Sequence, residues 1–400
     1  MPKSINNVNR CRARINAQNL KWAREALSIS TKEVIDKLNI KNLTEEILMI
    51  WEQGTEFPPV YIAKKLAKFY GINLIVLYLP RIPKNIKPLK DFRRMDSLPF
   101  SRNFIFLMRS IQEKQELLKE LLIGNGHTDL PIVGSVSIKQ GVPGLVQALK
   151  DNISKNLKLK KKAEDNLKPI TRLLESLGIS VSFSNSFNGH YLSAVSPREV
   201  RGFAIADKVA PFIFVNSKDS KNAQLFTLLH EFCHILLGET GVGEQSHNAD
   251  NRIEILCNQA TADFLIPSQK FEQALQILPP KDLDDTVYEL TRLFPVSSLS
   301  ILIKMFAMGK LAYQDFETAY IRHKESFEHI LQQESRQKKS SKIIVKADLR
   351  LFRQNGKRFT YIVLDGLQKG KIGFTTACSA LGVSNGNKFD AYVNKWGKYT

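Results

Sequence analysis

The sequence predicts an α+β protein: an N-terminal all-α, helix-turn-helix-like unit, a core in which a small sheet precedes long helices, and a small basic α+β segment at the C-terminus. Three observations carry that prediction. Apolar residues recur at helical spacing through 17–80 and 102–177. The period falls to two between 179 and 216, and an apolar, helix-length stretch broken by His and Glu begins at Leu225. The expected boundaries are 1–82, 83–177, 178–333 and 334–400.

In chain order, LKWAREALS (20–28) reads as the first amphipathic helix and TKEVIDKL (31–38) as the second, with Ser30 or Thr31 as N-cap. LTEEILMIWEQG (43–54) ends at Gly54, a helix stop, and FPPVYIAKKLAKFYGI (57–72) opens with prolines that a first helical turn tolerates. A basic, Pro-containing linker follows Pro80, and helical tracts are expected at 102–122 and 143–177, the latter including the run LKLKKK. ISVSFSNSF (179–187) alternates and predicts a half-buried strand; 200–205 and 212–216 predict two more, with FIFVN as a candidate edge strand. Helices broken at Pro279-Pro280 and Pro295 fill 268–333, and 334–342 reads as a polar linker. The last segment suggests short strands (SKIIVK; FTYIVLDGL) and a helix pair, TTACSALG and NKFDAYVNKW.

Composition narrows the function classes. No apolar run approaches the length of a bilayer span, and residues 1–20 lack the apolar core of a signal peptide. The four cysteines, Cys11, Cys233, Cys257 and Cys378, form no CxxC, which suits a reducing, cytoplasmic compartment. The net charge of +19 is uneven: 1–100 hold 18 Lys and Arg against 9 Asp and Glu, 336–400 hold 14 against 3, and the middle is near neutral. Basic ends point to acidic partners, DNA first among them.

The chemistry lies in Leu225–Pro267. From Leu225 to Leu237 every residue is apolar or Cys except Thr227, His230, Glu231 and His234, which share one helical stripe. Ionisable groups on a helix apolar all round need compensation, since burying them unpaired costs several kcal/mol. A metal ion on His230 and His234, one turn apart, with Glu231 as general base, supplies it. A third ligand is expected. Glu254, on a second apolar segment with Asn258 and Thr261, competes with His247 in the intervening loop, and loop histidines are commonly solvated. Gluzincin metallopeptidases take a Glu from such a second helix. The metzincin pattern would need Gly at Leu237 and His at Thr240, and is excluded. Asn258, one turn beyond Glu254, is a candidate to orient that ligand. His247, Tyr288 and His323 are candidate oxyanion donors.

RGFAIAD (201–207), FIFVN (212–216), FTLLHEFCHILLG (226–238) and EILCNQATADFLIP (254–267) together resemble the ImmA/IrrE family of metallopeptidases. The run WEQGTEFPP resembles the XRE, lambda-repressor-like, helix-turn-helix domains fused in front of some of them. The resemblance implies a zincin-like core, Zn²⁺ held by His230, His234 and Glu254, and Glu231 as catalytic acid/base. It also implies regulated cleavage of a protein substrate such as a transcriptional repressor. A DNA-binding regulator, or an antitoxin docking a toxin protein on the peptidase scaffold, is the alternative. Contact with DNA is expected through 17–80 and the basic C-terminus, with no membrane partner. The third helix offers Glu45 and Glu46 rather than residues that read base edges, so DNA-contacting residues stay unassigned.

Overall fold

A computed structural model describes residues 11–27, 29–72, 74–81, 101–186, 194–242, 249–279, 282–340, 347–383 and 386–396. The chain divides into two compact units, Met1–Arg109 and Ser110–Thr400.

The first unit holds α1 (Ala17–Glu25), α2 (Thr31–Leu38), α3 (Glu45–Gln53) and α4 (Val60–Tyr70), followed by a 3-10 turn at Leu74–Tyr78. Each start has a local cause. Asn16 accepts from the Gln18 amide, Ser30 forms a capping box with Glu33, and Thr44 accepts from the Ile47 amide. Asn39 and Asn42, both with positive φ, make the turn between α2 and α3, and Gly54 ends α3 in the left-handed region. Leu20, Val34, Leu48, Trp51, Ile62 and Leu66 fill the core. Arg24 grips the buried Glu52 with two 2.8 Å hydrogen bonds. The outward face of α3 carries Glu46, Met49 and Gln53.

In the second unit the described helices are α5 (Arg102–Gly124), whose first turns belong to the first unit, then α6 (Gly141–Leu149), α7 (Ala163–Ser176) and α8 (Lys221–Leu237). They continue with α9 (Ala249–Leu265), α10 (Ser268–Ile277), α11 (Leu283–Leu293), α12 (Ser298–Ala307) and α13 (Tyr313–Ser340). The last four are α14 (Ala347–Asn355), α15 (Lys357–Gln368), α16 (Phe374–Leu381) and α17 (Gly386–Trp396). One mixed sheet runs in the order β1-β3-β2-β4, with β1 (Ser180–Ser184), β2 (Gly202–Ile205), β3 (Phe212–Asn216) and β4 (Gly241–Val242). β1 pairs parallel to β3, while β2 lies antiparallel to both β3 and β4. Val181, Ala204, Ile213 and Val215 on one face of the sheet join Leu225, Leu228, Leu229 and Phe232 of α8 in a single apolar core. No single helix among the described residues is long and apolar enough to cross a membrane.

Several expectations change. FIFVN is β3, a central strand buried at every residue, so it is not an edge. β1 is buried rather than half-buried, because α14 covers its serine face and Ser182 donates to the Gln354 carbonyl at 2.6 Å. The LKLKKK run is not helical: it is extended ahead of α7, pinned by the Asn166 amide to backbone groups of Lys160 and Lys162. Helix α13 continues through the expected linker at 334–340. FTYIVLDGL lies within α15, so the described C-terminal segment is all helical; SKIIVK falls outside the described residues.

The C-terminal helices dock on the sheet through one device. Gly356 (φ 73) sits against the open edge of β1, where a Cβ would come within 2.3 Å of the Val181 carbonyl oxygen. Its lack of a side chain leaves the first amides of α15 uncapped, and buried Glu175 of α7 accepts from Lys357 and Arg358 at 2.7 and 3.0 Å.

Candidate metal centre

Helix α8 begins at Ser220, whose side chain accepts from the Ala223 amide, and ends at Gly238 (φ 73). Its last carbonyls are satisfied by the preceding loop: the Gly134 and Val136 amides donate to Ile235 and Leu236 at 3.0 and 2.9 Å. Apart from Phe226, every residue from Leu225 to Leu237 is buried, so His230, Glu231 and His234 are held with little rotational freedom. Helix α9 packs alongside and brings in Glu254.

The three side chains converge. His230 Nε2 lies 3.1 Å from Glu254 Oε2, His234 Nε2 lies 3.1 Å from Glu254 Oε1, and the two Nε2 atoms are 3.1 Å apart. All three residues are buried, at 3%, 1% and 7% exposure for His230, His234 and Glu254. Two imidazole nitrogens and two carboxylate oxygens packed this closely repel unless protons on the rings or a metal ion lie between them. A tetrahedral ion with ligands at about 2.0–2.1 Å places them about 3.3 Å apart, close to what is found. Protonation states agree. Burial lowers the pKa of His234 and favours the neutral imidazole, outweighing the nearby carboxylate. Burial alone would raise Glu254, but hydrogen bonds from His230 and His234 outweigh it and hold the carboxyl well below its ordinary value. Neutral imidazole and ionised carboxylate are the forms that bind metal. The buried Nδ1 atoms of both histidines have no hydrogen-bond partner among the described residues. The donor set could therefore hold one divalent ion.

Glu231 is 1% exposed and faces the sheet at Gly202 of β2. A Cβ on Gly202 would meet Thr227 Cγ2 at 2.3 Å, the Phe214 carbonyl oxygen at 2.8 Å and Glu231 Oε1 at 3.2 Å. Bare backbone at this point lets β2 lie against α8 beside the Glu231 carboxylate. Sequence reasoning misses this residue, although a glycine inside a strand pattern is a known sign of close backbone approach. Asn216 closes β3 by donating to the Val195 and Val200 carbonyls, fixing the entry to β2.

Among the described residues, the remaining candidates are not drawn into the cluster. Asn258 is half-buried one turn past Glu254 and makes no hydrogen bond to it among the described residues. Tyr288 is 62% exposed on α11, and His323 Nε2 sits 3.1 Å from Asp284. His247 lies outside the described residues. Cys233 and Cys257 are buried together; the hydrogen bond with Cys233, then burial, push the Cys257 thiol up, so it is a packing residue rather than a nucleophile.

Residues 174–306 match the family model of the IrrE N-terminal-like domain, Peptidase_M78. That span contains the sheet, α8, α9 and all three cluster residues, and supports a metallopeptidase-type domain. No curated protein matches the chain.

Proposed function

We propose that this protein is a zinc-dependent metallo-endopeptidase that makes limited cuts in a regulatory protein such as a transcriptional repressor. The observation that carries the proposal is the convergence of His230, His234 and Glu254 to 3.1 Å separations on two buried helices. Two nitrogens and one carboxylate suit Zn²⁺ and leave a fourth position for water or substrate. When bound, such an ion supplies Lewis acidity toward a peptide carbonyl and lowers the pKa of water to about 7.

The chain's own residues do the rest. Glu231 follows His230 directly on the buried face of α8, so its carboxylate takes a proton from the attacking water and returns it to the departing amine. Gly202 keeps the β2 backbone close to that carboxylate. β2 pairs with β4 only at Phe203 and Ala204, and β4 is the outer strand. This margin, not β3, is where a substrate's backbone would align by strand pairing.

The test is zinc quantitation together with incubation against repressors encoded at the same locus, comparing wild type with Glu231→Gln. Cleavage by wild type alone, with about one zinc retained by both, supports the proposal. Cleavage surviving Glu231→Gln refutes the assignment of the base. A second reading, a DNA-binding regulator, is favoured by the basic ends and by the α2–turn–α3 pair, although the outward face of α3 bears Glu46. A mobility shift with steep salt dependence, unchanged in His230→Ala, would support it.

A further inference from the structure

A second polar site lies in the same unit and shares no residue with the metal cluster. A cleft of about 360 Å³ opens between α5, α14 and α16, at the small end of the range for ligand pockets. Lys114 lines it, and that residue is only 8% exposed. Its Nζ makes one hydrogen bond, to Asn355 Oδ1 at 2.6 Å, and sits 5.5 Å from the Phe359 ring centroid. The Asn355 amide cannot turn to offer anything else, because its NH₂ is committed to the Leu381 carbonyl and the Tyr392 hydroxyl. Among the described residues no carboxylate pairs with Lys114. Burial, with nothing to offset it, pushes the amine down to about 7. A buried amine with spare N–H groups, at the wall of a cavity and lacking a counter-charge, is half of an ion pair.

We infer that this cleft binds a small organic monocarboxylate, with Lys114 as the partner of its carboxylate. Leu117, Leu351 and Leu381 supply apolar wall for the body of the ligand, and Ser379 stands among them as a polar contact. That apolar wall favours a carboxylate carrying an organic body over phosphate, which has none.

The experiment is calorimetric titration of the full chain at pH 7.5 with benzoate and with hexanoate. Hexanol and inorganic phosphate serve as controls at matched ionic strength, in two buffers of different ionisation enthalpy. The expected result is saturable carboxylate binding, with proton uptake as the amine becomes charged. Both controls should bind at least about tenfold more weakly. Lys114→Met removes the charge while keeping the length, and should lose about tenfold or more in affinity. Ser379→Trp, at an exposed position on the rim, should block the cleft without touching the amine. The inference is overturned by any of three results: no carboxylate binding, undiminished binding by both variants, or phosphate binding as tightly as benzoate. Should Lys114→Met fail to fold, proton uptake by wild type and its loss in Ser379→Trp decide the matter.

Discussion

Replacing Gly202 with Ala adds a single methyl group at a crowded point between the sheet and α8. The new Cβ would stand 2.3 Å from Thr227 Cγ2 and 2.8 Å from the Phe214 carbonyl oxygen, against ordinary contacts of about 3.5–4.0 Å. Neither neighbour can give way easily. Thr227 is buried and β-branched on a helix, which limits its rotamers, and Phe214 is backbone in the central strand. The strand must therefore move by about an ångström, at a cost of about 2–3 kcal/mol by analogy with overpacked cores. At about 2–4 °C per kcal/mol for a domain of this class, the melting temperature should fall by about 4–12 °C. Thr227→Ser removes the nearer clash but leaves the carbonyl contact, so the double variant should recover part of the loss and not all. Calorimetric melting of the four proteins measures this, and zinc content tests whether the damage reaches His230. A Gly202→Ala protein as stable as wild type would refute the claim that β2 is held in direct contact with α8.

Removing the metal should lower stability by RT ln(1 + [Zn]/Kd), about 2.7 kcal/mol at a hundredfold excess over Kd, read as a fall in melting temperature on chelation that is absent in His230→Ala. Glu175→Ala should strip the α15 amides of their acceptor at a cost of about 1–3 kcal/mol, and hydrogen exchange at Lys357 and Arg358 should rise first. Lys114 gives a pH signature. Its amine is pushed from 10.5 to about 7 in the folded chain, so between these values the unfolded chain holds a proton that the folded chain lacks. Stability should therefore rise with pH across that window, by up to about 1.4 kcal/mol per unit, and Lys114→Met should flatten the slope. Denaturant titrations between pH 7.5 and 9.5 check it.

The convergence of His230, His234 and Glu254 is legible in the sequence because its signal is local. His230 and His234 share a helical face by spacing alone, and the polar interruptions of α9 single out Glu254 among apolar neighbours. Glu254's meeting with the histidines depends on α8 packing against α9, which needs no information beyond two apolar helices close together in the sequence. Gly202 is different, since its role is set by Thr227 and Phe214, residues whose proximity only the folded sheet reveals. The C-terminus misleads for a related reason. In FTYIVLDGL the β-branched residues favour a strand, yet the buried set is Phe359, Thr360, Ile362, Val363 and Gly366, at helical spacing. Tertiary packing decides between two local preferences.

That packing also changes what the C-terminal segment is. A tail held to the protein by charge alone would leave the serine face of β1 wet, as the period-two pattern suggests. Instead Ser182 bonds to Gln354, Gly356 abuts the Val181 carbonyl, and Glu175 caps α15, all inside the second unit. β1 is hydrogen-bonded to β3, and β3 to β2, the strand that lies beside Glu231. Any event that loosens α14 and α15 from β1 thus acts on the sheet that frames the site. Truncation before Ala347 should expose Ser180, Ser182 and the β1 edge, lowering the stability of the unit that holds His230, His234 and Glu254 rather than merely reducing its charge. Melting of the truncated chain with and without zinc would show it, and unchanged melting would refute a structural role for the C-terminal helices.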